Sequence, residues 1–210
     1  MSKDDDESKA EKLIKGITDL AINGVGPLSS SHMLAQEYLI DKSYESNSDR
    51  ISSLINWETS KNFTTGFITG LGGLITLPVA IPSALGASWA IQARMVGAIA
   101  EICGNDIKED RVRTLMILAI CGDSAKEILK QAGVQVGRKL TQKTIEKIPG
   151  KVFIEINKKV GFRLLTKAGE KGVFNAMKAV PLVSGLVGGV FDAVTCQATG
   201  AAARKIFHSE

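Results

Sequence analysis

The sequence predicts an all-α protein, a single compact helical domain of about eight helices with two glycine-rich apolar hairpins. Apolar residues recur at intervals of three and four over most of the chain, and no alternating run of β-branched residues bounded by turns is present. The 210 residues are 44% hydrophobic and 23% charged, which is typical of one folded domain and not of a disordered chain.

The N-terminal unit is predicted to span residues 1–24, ahead of a main domain at residues 25–207. Residues 1–8 are acidic, and we expect them to form a frayed tail. An amphipathic helix is expected over Lys9–Asn23, because apolar residues stand there at helical spacing and Gly24 follows.

The main domain is predicted to continue as helices separated by glycine, proline or polar turns. The serines at 29–31 can cap the first of them through their hydroxyl groups. The predicted helices run from these serines to about Ile40, from Asp49 to about Lys61, from Pro82 to Gly104, from a cap near Asp106 or Lys108 to Gly122, and from Asp123 or Ser124 to Gly133. A basic amphipathic pattern over 135–171, broken at Pro149–Gly150, is followed by a short helix after Gly172 and a last helix over 182–207.

The longest charge-free stretch runs from Asn62 to Ala93, and its 32 residues are enough to cross a bilayer. Pro78 and Pro82 stand inside it, however, and two prolines would break one continuous helix. We therefore expect a hairpin here and not a conventional transmembrane helix. This hairpin either forms part of a buried core or dips into a membrane. A second glycine-rich apolar hairpin is predicted to begin near Pro181.

Two charged residues stand alone among small and apolar ones. Arg94 lies in the helix after Pro82, and Asp192 lies in the last helix, each with small residues at steps of four. Small residues allow two helix backbones to approach closely. Because an unpaired buried charge is costly, we expect Arg94 to pair with Asp192, with Gln92 nearby. Such a pair either fixes the register of the two helices or handles a substrate in a pocket.

Positive charge is concentrated between residues 126 and 171, where twelve Lys and Arg stand against four Glu, a local balance of +8. Within this region Lys159, Arg163, Lys167 and Lys171 are spaced by four and would share one face of a helix. A stripe of this kind is typical of a solvated face, and the alternative is attraction to anionic lipid head groups. Nucleic acid is not expected as a partner, because aromatic residues do not interleave with the charges.

The sequence contains no motif that indicates catalysis, a metal site or a cofactor. Three widely spaced cysteines favour a reducing compartment over a disulfide framework or a zinc site. The acidic N-terminus is unlike a secretory signal, so a cytoplasmic protein is expected. His32 follows a run of serines, but no acid in the sequence is placed to orient its ring, and we expect no enzyme.

Three segments resemble the core signature of the EcsC family. They are "LINWETSKNFTTGFITGLGGLITLPVAIPSALGASWAIQARMVGAIAEICGND", "CGDSAKEILKQAGVQVGRKL" and "INKKVGFRLLTKAGEKGVFNAMKAVPLVSGLVGGVFDAV". The resemblance covers about residues 25–207. It implies that Gln92, Arg94, Asp123, Asn157, Lys167 and Asp192 fall on typical polar positions of the family. It also implies association with an ABC exporter, since the family is named after a protein encoded beside the subunits of one. The family has no established biochemical activity.

Two main functional interpretations remain, beside a third in which an enzyme of unrecognised chemistry uses Arg94 and Asp192 in a pocket. The first is a non-enzymatic EcsC-like protein that acts peripherally at the cytoplasmic face of a membrane, with an anionic lipid surface and a membrane protein as partners. The alternative is a soluble helical module that binds a protein partner or an apolar ligand between its hairpins. No oligomeric state follows from the sequence pattern.

Overall fold

The computed structural model describes residues 3–24, 26, 28–63, 83–135, 145, 147–177 and 184–208. Within these ranges the side chains of residues 3–6, 62–63, 83–84, 168–177 and 184–192 lie outside the description. The prolines of both predicted hairpins, Pro78, Pro82 and Pro181, also lie outside it, so the two hairpins stay predictions.

The described ranges form eight α-helices and no β-strand, which confirms the all-α prediction. The helices are α1 (Lys3–Asn23), α2 (Ser31–Ile40), α3 (Asn47–Phe63), α4 (Ser83–Ile102), α5 (Asp110–Ile120), α6 (Ala125–Gln131), α7 (Gly150–Met177) and α8 (Ser184–Phe207). A 3-10 turn at Gly122–Ser124 joins α5 to α6. The helices pack into one compact domain.

Helix α4 is the centre of this domain. Every residue from Leu85 to Ala100 is buried, and α4 packs against α1, α2, α3, α5 and α8. Helices α2 and α4 can approach each other closely because residue 97 is a glycine. A Cβ added there would lie 2.4 Å from the Ser31 hydroxyl oxygen of α2. The apolar, glycine-containing sequence of α4 is therefore the signature of a helix enclosed on all sides.

Helix α7 buries one face and exposes the other. Its buried residues Phe153, Ile156, Val160 and Leu164 recur at steps of three and four, facing α1 and α5. The backbones of α1 and α7 touch at Gly161, where an added Cβ would lie 2.6 Å from the Ala10 Cβ. Glycine at this position therefore sets the spacing between the two helices.

Glycines end two of the helices at the predicted places. After α4, Gly104 has φ +81° and its N–H bonds the Glu101 carbonyl, while the Asn105 N–H bonds the Ala100 carbonyl. This is the Schellman arrangement, in which a left-handed residue lets the last carbonyls find donors. The same pair of bonds follows α6 at Gly133, which has φ +80°.

Two predicted boundaries were wrong. Helix α1 begins at Lys3 and not at Lys9, so most of the acidic stretch is helical and not a frayed tail. Negative charges in a first turn are favoured by the positive end of the helix dipole, and this explains the earlier start. Helix α7 begins directly after Pro149 as predicted, but it continues through Gly172 to Met177 without the expected break. A lone glycine costs a helix only about 1 kcal/mol relative to alanine, so it need not end one.

No helix in the described parts of the chain combines the length and the apolar character needed to cross a membrane.

The contact at Gly161 leads to a stability prediction. Gly161→Ala should lower the free energy of unfolding by about 1–2 kcal/mol, because overpacking outweighs the gain in helix propensity. Gly150→Ala is the matched control, since nothing lies within 4 Å of a Cβ built there. Urea unfolding followed by circular dichroism measures both. Equal stability of the two variants would show that α1 and α7 are not held at this spacing.

Candidate functional site

A charged pair is buried between α3 and α4. A Glu58 carboxylate oxygen accepts a hydrogen bond from Arg94 Nη2 at 2.7 Å, and the two side chains are 0% and 4% exposed. The other Glu58 oxygen lies 3.1 Å from Lys61 Nζ, and the Ser29 hydroxyl accepts from Arg94 Nη1 at 2.9 Å. Arg94 Nε has no hydrogen-bond partner among the described residues. This group, Ser29, Glu58, Lys61 and Arg94, is called the ion cluster below.

Sequence reasoning missed Glu58 and assigned Asp192 to Arg94. The side chain of Asp192 lies outside the described residues, so an Arg94–Asp192 contact stays a prediction. A signal for Glu58 is present in the sequence, because it follows Ile51 and Leu54 at steps of seven and four on the buried face of α3. A charge at a core-facing position of an amphipathic helix implies a buried partner.

A second polar chain links α4 to α8. The Thr199 hydroxyl donates to the Gln92 side-chain oxygen at 2.8 Å, and the Gln92 amide donates to the Ser88 hydroxyl at 3.0 Å. All three residues are buried. Because buried polar groups are costly unless they are hydrogen-bonded, these bonds restrict how α4 and α8 can slide past each other.

The ion cluster also acts on a neighbouring tyrosine. Burial, with smaller effects from Tyr44 and the Glu58 charge, raises the pKa of Tyr38 to about 12. The phenol therefore stays protonated at neutral pH. Nothing in the cluster pairs a nucleophile with a base, and its charged groups are already engaged with each other. Its geometry is that of a register-fixing contact between helices.

The serines beside His32 do not form a nucleophile with it. Ser30 caps α2 by accepting from the Met33 N–H, and the buried Ser31 hydroxyl lies 2.9 Å from the Ala21 carbonyl oxygen. The His32 side chain is 64% exposed, and its Nδ1 lies 2.8 Å from a Glu101 carboxylate oxygen. Glu101 is thus the acid beside His32 that the sequence did not reveal. The Ser30 and Ser31 hydroxyl groups, however, form hydrogen bonds with backbone groups and not with His32.

A contact between a cysteine and a histidine was also not foreseen. Cys103 Sγ lies 3.9 Å from His208 Nδ1. Burial raises the pKa of the Cys103 thiol to about 11, against a smaller opposing effect of Arg204. A reactive cysteine has a lowered pKa, because the thiolate is the nucleophile. The direction of this shift argues against a catalytic role for Cys103.

The predicted basic stripe lies along α7. Lys159 is half-buried and pairs with Glu155 at 3.2 Å, whereas Arg163 is exposed and its Nη2 lies 3.4 Å from the Ser124 hydroxyl. Lys167 is half-buried. The backbone of Lys171 belongs to α7, and its side chain lies outside the described residues.

Exposed apolar residues stand beside this stripe, and sequence reasoning missed them. Ile154 and Phe162 are each 62% exposed and lie eight residues apart, about two helical turns. Lys158 stands midway between them, and Lys151 precedes them on the same face. We call Lys151, Ile154, Glu155, Lys158, Lys159, Phe162 and Arg163 the α7 face, of which Lys158 and Lys159 are half-buried and the others exposed. Its four cations and one carboxylate give it a net charge of +3.

Comparison of the chain with protein-family models, with curated proteins and with solved structures finds no match.

The ion cluster predicts unequal effects of its two partners. Glu58→Gln should cost about 3–5 kcal/mol in the free energy of unfolding, because it leaves buried Arg94 without a counter-charge. Arg94→Met should cost less, since Glu58 keeps Lys61. The double variant Glu58→Gln/Arg94→Met should cost less than the sum of the single changes. Asp192→Asn is the control, and it tests the Arg94–Asp192 pair that the sequence predicts. If urea unfolding shows that the stability losses of the Glu58 and Arg94 single variants simply add in the double variant, the two side chains do not interact.

The raised thiol pKa values predict low reactivity. Burial raises the pKa of Cys121 to about 12, so both Cys103 and Cys121 stay protonated up to a pH well above 8. Because only the thiolate reacts, maleimide labelling of folded Cys103 should be slow at pH 8 and should rise about tenfold for each pH unit up to about pH 11. Mass spectrometry of labelled peptides measures each site, with urea-unfolded protein as the control. Rapid labelling of folded Cys103 at pH 7 would contradict this prediction.

Proposed function

We propose that the chain is an EcsC-like, non-enzymatic helical protein that docks peripherally on the cytoplasmic face of a membrane, through the α7 face. The observation that carries the proposal is the exposure of Ile154 and Phe162 among Lys and Arg side chains. A helix that presents apolar side chains between cations is typical of segments that lie in the plane of the lipid head groups.

Estimates of the binding free energy indicate that electrostatic attraction and apolar burial act together in docking. Each Lys or Arg near an anionic surface contributes about 1 kcal/mol, so the net charge of +3 on the α7 face corresponds to about 3 kcal/mol. Burying Phe162 and Ile154 contributes about 1.5–3 kcal/mol each. A dissociation constant of 1 μM requires about 8 kcal/mol, and association itself has an entropic cost. Neither contribution is sufficient alone, so the docking is weak and depends on both.

The membrane protein partner in this proposal is a subunit of an ABC exporter. It rests on the family resemblance alone, and no described surface is assigned to it. Docking through α7 would bring the remaining surfaces of the domain close to such a subunit.

A second candidate function is the binding of a protein partner by α2. Met33 and Ile40 are 58% and 72% exposed and stand seven residues apart, so they share one face. The acidic Glu37 lies between them, and for this reason the α2 face is less suited to anionic lipid than the α7 face. It therefore serves as the matched control below.

The docking proposal predicts the behaviour of three variants in sedimentation with vesicles of phosphatidylcholine and phosphatidylserine. Ile154→Ser/Phe162→Ser should weaken binding at least about a hundredfold, because the two lost apolar side chains together remove about 3–6 kcal/mol. Lys159→Glu/Arg163→Glu should weaken binding strongly at 0.1 M salt. This effect should fade at 1 M salt, where the screening length falls from about 10 Å to about 3 Å.

The control is Met33→Ser/Ile40→Ser, which removes equally exposed apolar residues from α2 and should bind vesicles as the wild type does. If the α2 variant loses binding and the α7 variants keep it, the α7 face is not the docking surface. Wild-type protein that binds vesicles without phosphatidylserine equally well would also contradict an electrostatic contribution.

A further inference from the structure

The outer side of α2 is apolar with one acid in it. Met33, Glu37 and Ile40 follow each other at steps of four and three, so they share one face of the helix. Met33 and Ile40 are 58% and 72% exposed, and Glu37 is exposed between them. Leu34 and Tyr38 are buried on the opposite side. Since α2 contains no Lys or Arg, the net charge of this α2 face is −1.

The α7 face repeats this pattern with the opposite charge. Ile154 and Phe162 are each 62% exposed, and Lys158 stands midway between them, so an apolar residue, a charge and a second apolar residue follow each other as on α2. The spans also match, because the apolar residues lie about 10.5 Å apart along α2 and about 12 Å apart along α7. The net charge of +3 on the α7 face faces −1 on the α2 face. The two faces are therefore complementary in pattern and in charge.

A contact between these faces requires two copies of the chain. Helix α2 packs on α4, whereas α7 packs on α1 and α5, and each face points away from these contacts into solvent. Charge also favours this pairing over the two symmetric ones. Two α7 faces would bring +3 against +3, and two α2 faces would bring two carboxylates together, which is unfavourable in both cases.

Lys158 is available for such a contact although it already has a partner in its own chain. Its Nζ lies 3.2 Å from a Glu7 carboxylate oxygen, and its side chain is 38% exposed. An ammonium group has three N–H donors, so it can bond Glu7 and a carboxylate of another copy at the same time. The exposed Arg163 offers a second cation on the same face.

We infer that the chain binds a second copy of itself head to tail, with the α2 face of one copy on the α7 face of the next. The inference rests on the second candidate function, the binding of a protein by α2, and not on membrane docking. Because every copy in such a contact keeps one free face of each kind, assembly continues beyond the dimer unless a ring closes.

The contact is small, since it joins one face of a ten-residue helix to part of another helix. Interfaces below the standard size are weak and transient, so the dissociation constant should be above about 1 μM. In vesicle assays at protein concentrations well below about 1 μM the chain is then monomeric, and Met33→Ser/Ile40→Ser stays a valid control for lipid binding.

Sedimentation velocity of the full chain without lipid tests this inference between about 1 μM and about 500 μM protein, the range of weak association. The wild type should shift from monomers to dimers and larger species as the concentration rises. Met33→Ser/Ile40→Ser and Ile154→Ser/Phe162→Ser should each weaken the association at least about a hundredfold, because each loses both apolar residues of one face.

An equimolar mixture of these two double variants gives the sharpest test. The intact α2 face of the α7 variant meets the intact α7 face of the α2 variant, so the mixture should form dimers. It should also stop at dimers, because both remaining faces are altered. A symmetric contact between two α2 faces or two α7 faces would not be restored by mixing.

A charge reversal with a matched control tests the electrostatic part. Glu37→Lys should weaken the association at least about tenfold, because it places a cation against a face of net charge +3. Glu109→Lys makes the same change at an exposed position before α5 and should leave the association unchanged. Thermal melting followed by circular dichroism verifies that each variant is folded.

The outcomes distinguish this inference from the other proposals. Dimers that form only when the two double variants are mixed support the head-to-tail contact. A wild type that stays monomeric up to about 500 μM overturns it, because even a weak interface associates at that concentration. Association that either double variant retains also overturns it, since the contact then uses another surface or joins two identical faces. Vesicle binding is measured separately, so a failure of membrane docking leaves these outcomes unchanged.

Discussion

The complete enclosure of α4 constrains the rest of the fold. A helix buried on all sides can carry a charge only if a neighbouring helix supplies the opposite one, and a neighbour can come close only where a side chain is missing. Arg94 meets Glu58 of α3, and Gly97 admits Ser31 of α2. Helices α2 and α3 are thus each placed by one specific contact as well as by general apolar packing, because an unmatched polar group in this position would be costly.

The ion cluster is better understood as a device for register than as a source of stability. Desolvating a carboxylate and a guanidinium can cost as much as their attraction returns, and a well-packed apolar pair is often no less stable. A pair of apolar residues, however, would not impose a large free-energy cost on a shift of α3 along α4. If α3 slid by one turn along α4, Arg94 would lose its counter-charge. Together with the Thr199–Gln92 bond, this ties α3 and α8 to one position on α4.

Local rules made some of the fold predictable from the sequence. The helix ends at Gly104 and Gly133 were predictable, because a left-handed glycine closes a helix through bonds to its own last turn. The early start of α1 and the continuity of α7 depend on small local energies, the interaction of first-turn acids with the helix dipole and the cost of about 1 kcal/mol for one glycine, which simple boundary signals do not resolve. Arg94 was recognisable as a buried charge, whereas its partner Glu58 required knowledge of which face of α3 meets α4.

The exposed residues of α7 show a limit of sequence patterns of another kind. A periodic apolar sequence predicts which residues share a face, but it does not tell which face meets the core. Val160 and Phe162 are both apolar and two residues apart, and the packing of α1 and α5 decides that Val160 is buried and Phe162 exposed. Glu155 and the cations made this helix recognisable as amphipathic, while its apolar surface residues were indistinguishable from core residues before the neighbours were known.

The directions of the pKa shifts bear on where function resides. Catalytic groups are tuned toward the working pH, so that they exchange protons or act as nucleophiles near neutrality. Burial moves Cys103, Cys121 and Tyr38 in the opposite direction, to about 11, 12 and 12, and their protons are retained over the whole physiological range. These three groups therefore stay protonated near neutral pH. On the outside, by contrast, the α7 face leaves Ile154 and Phe162 in water between cations, an arrangement that folding alone does not require. This contrast supports the proposal that the protein works through its surface.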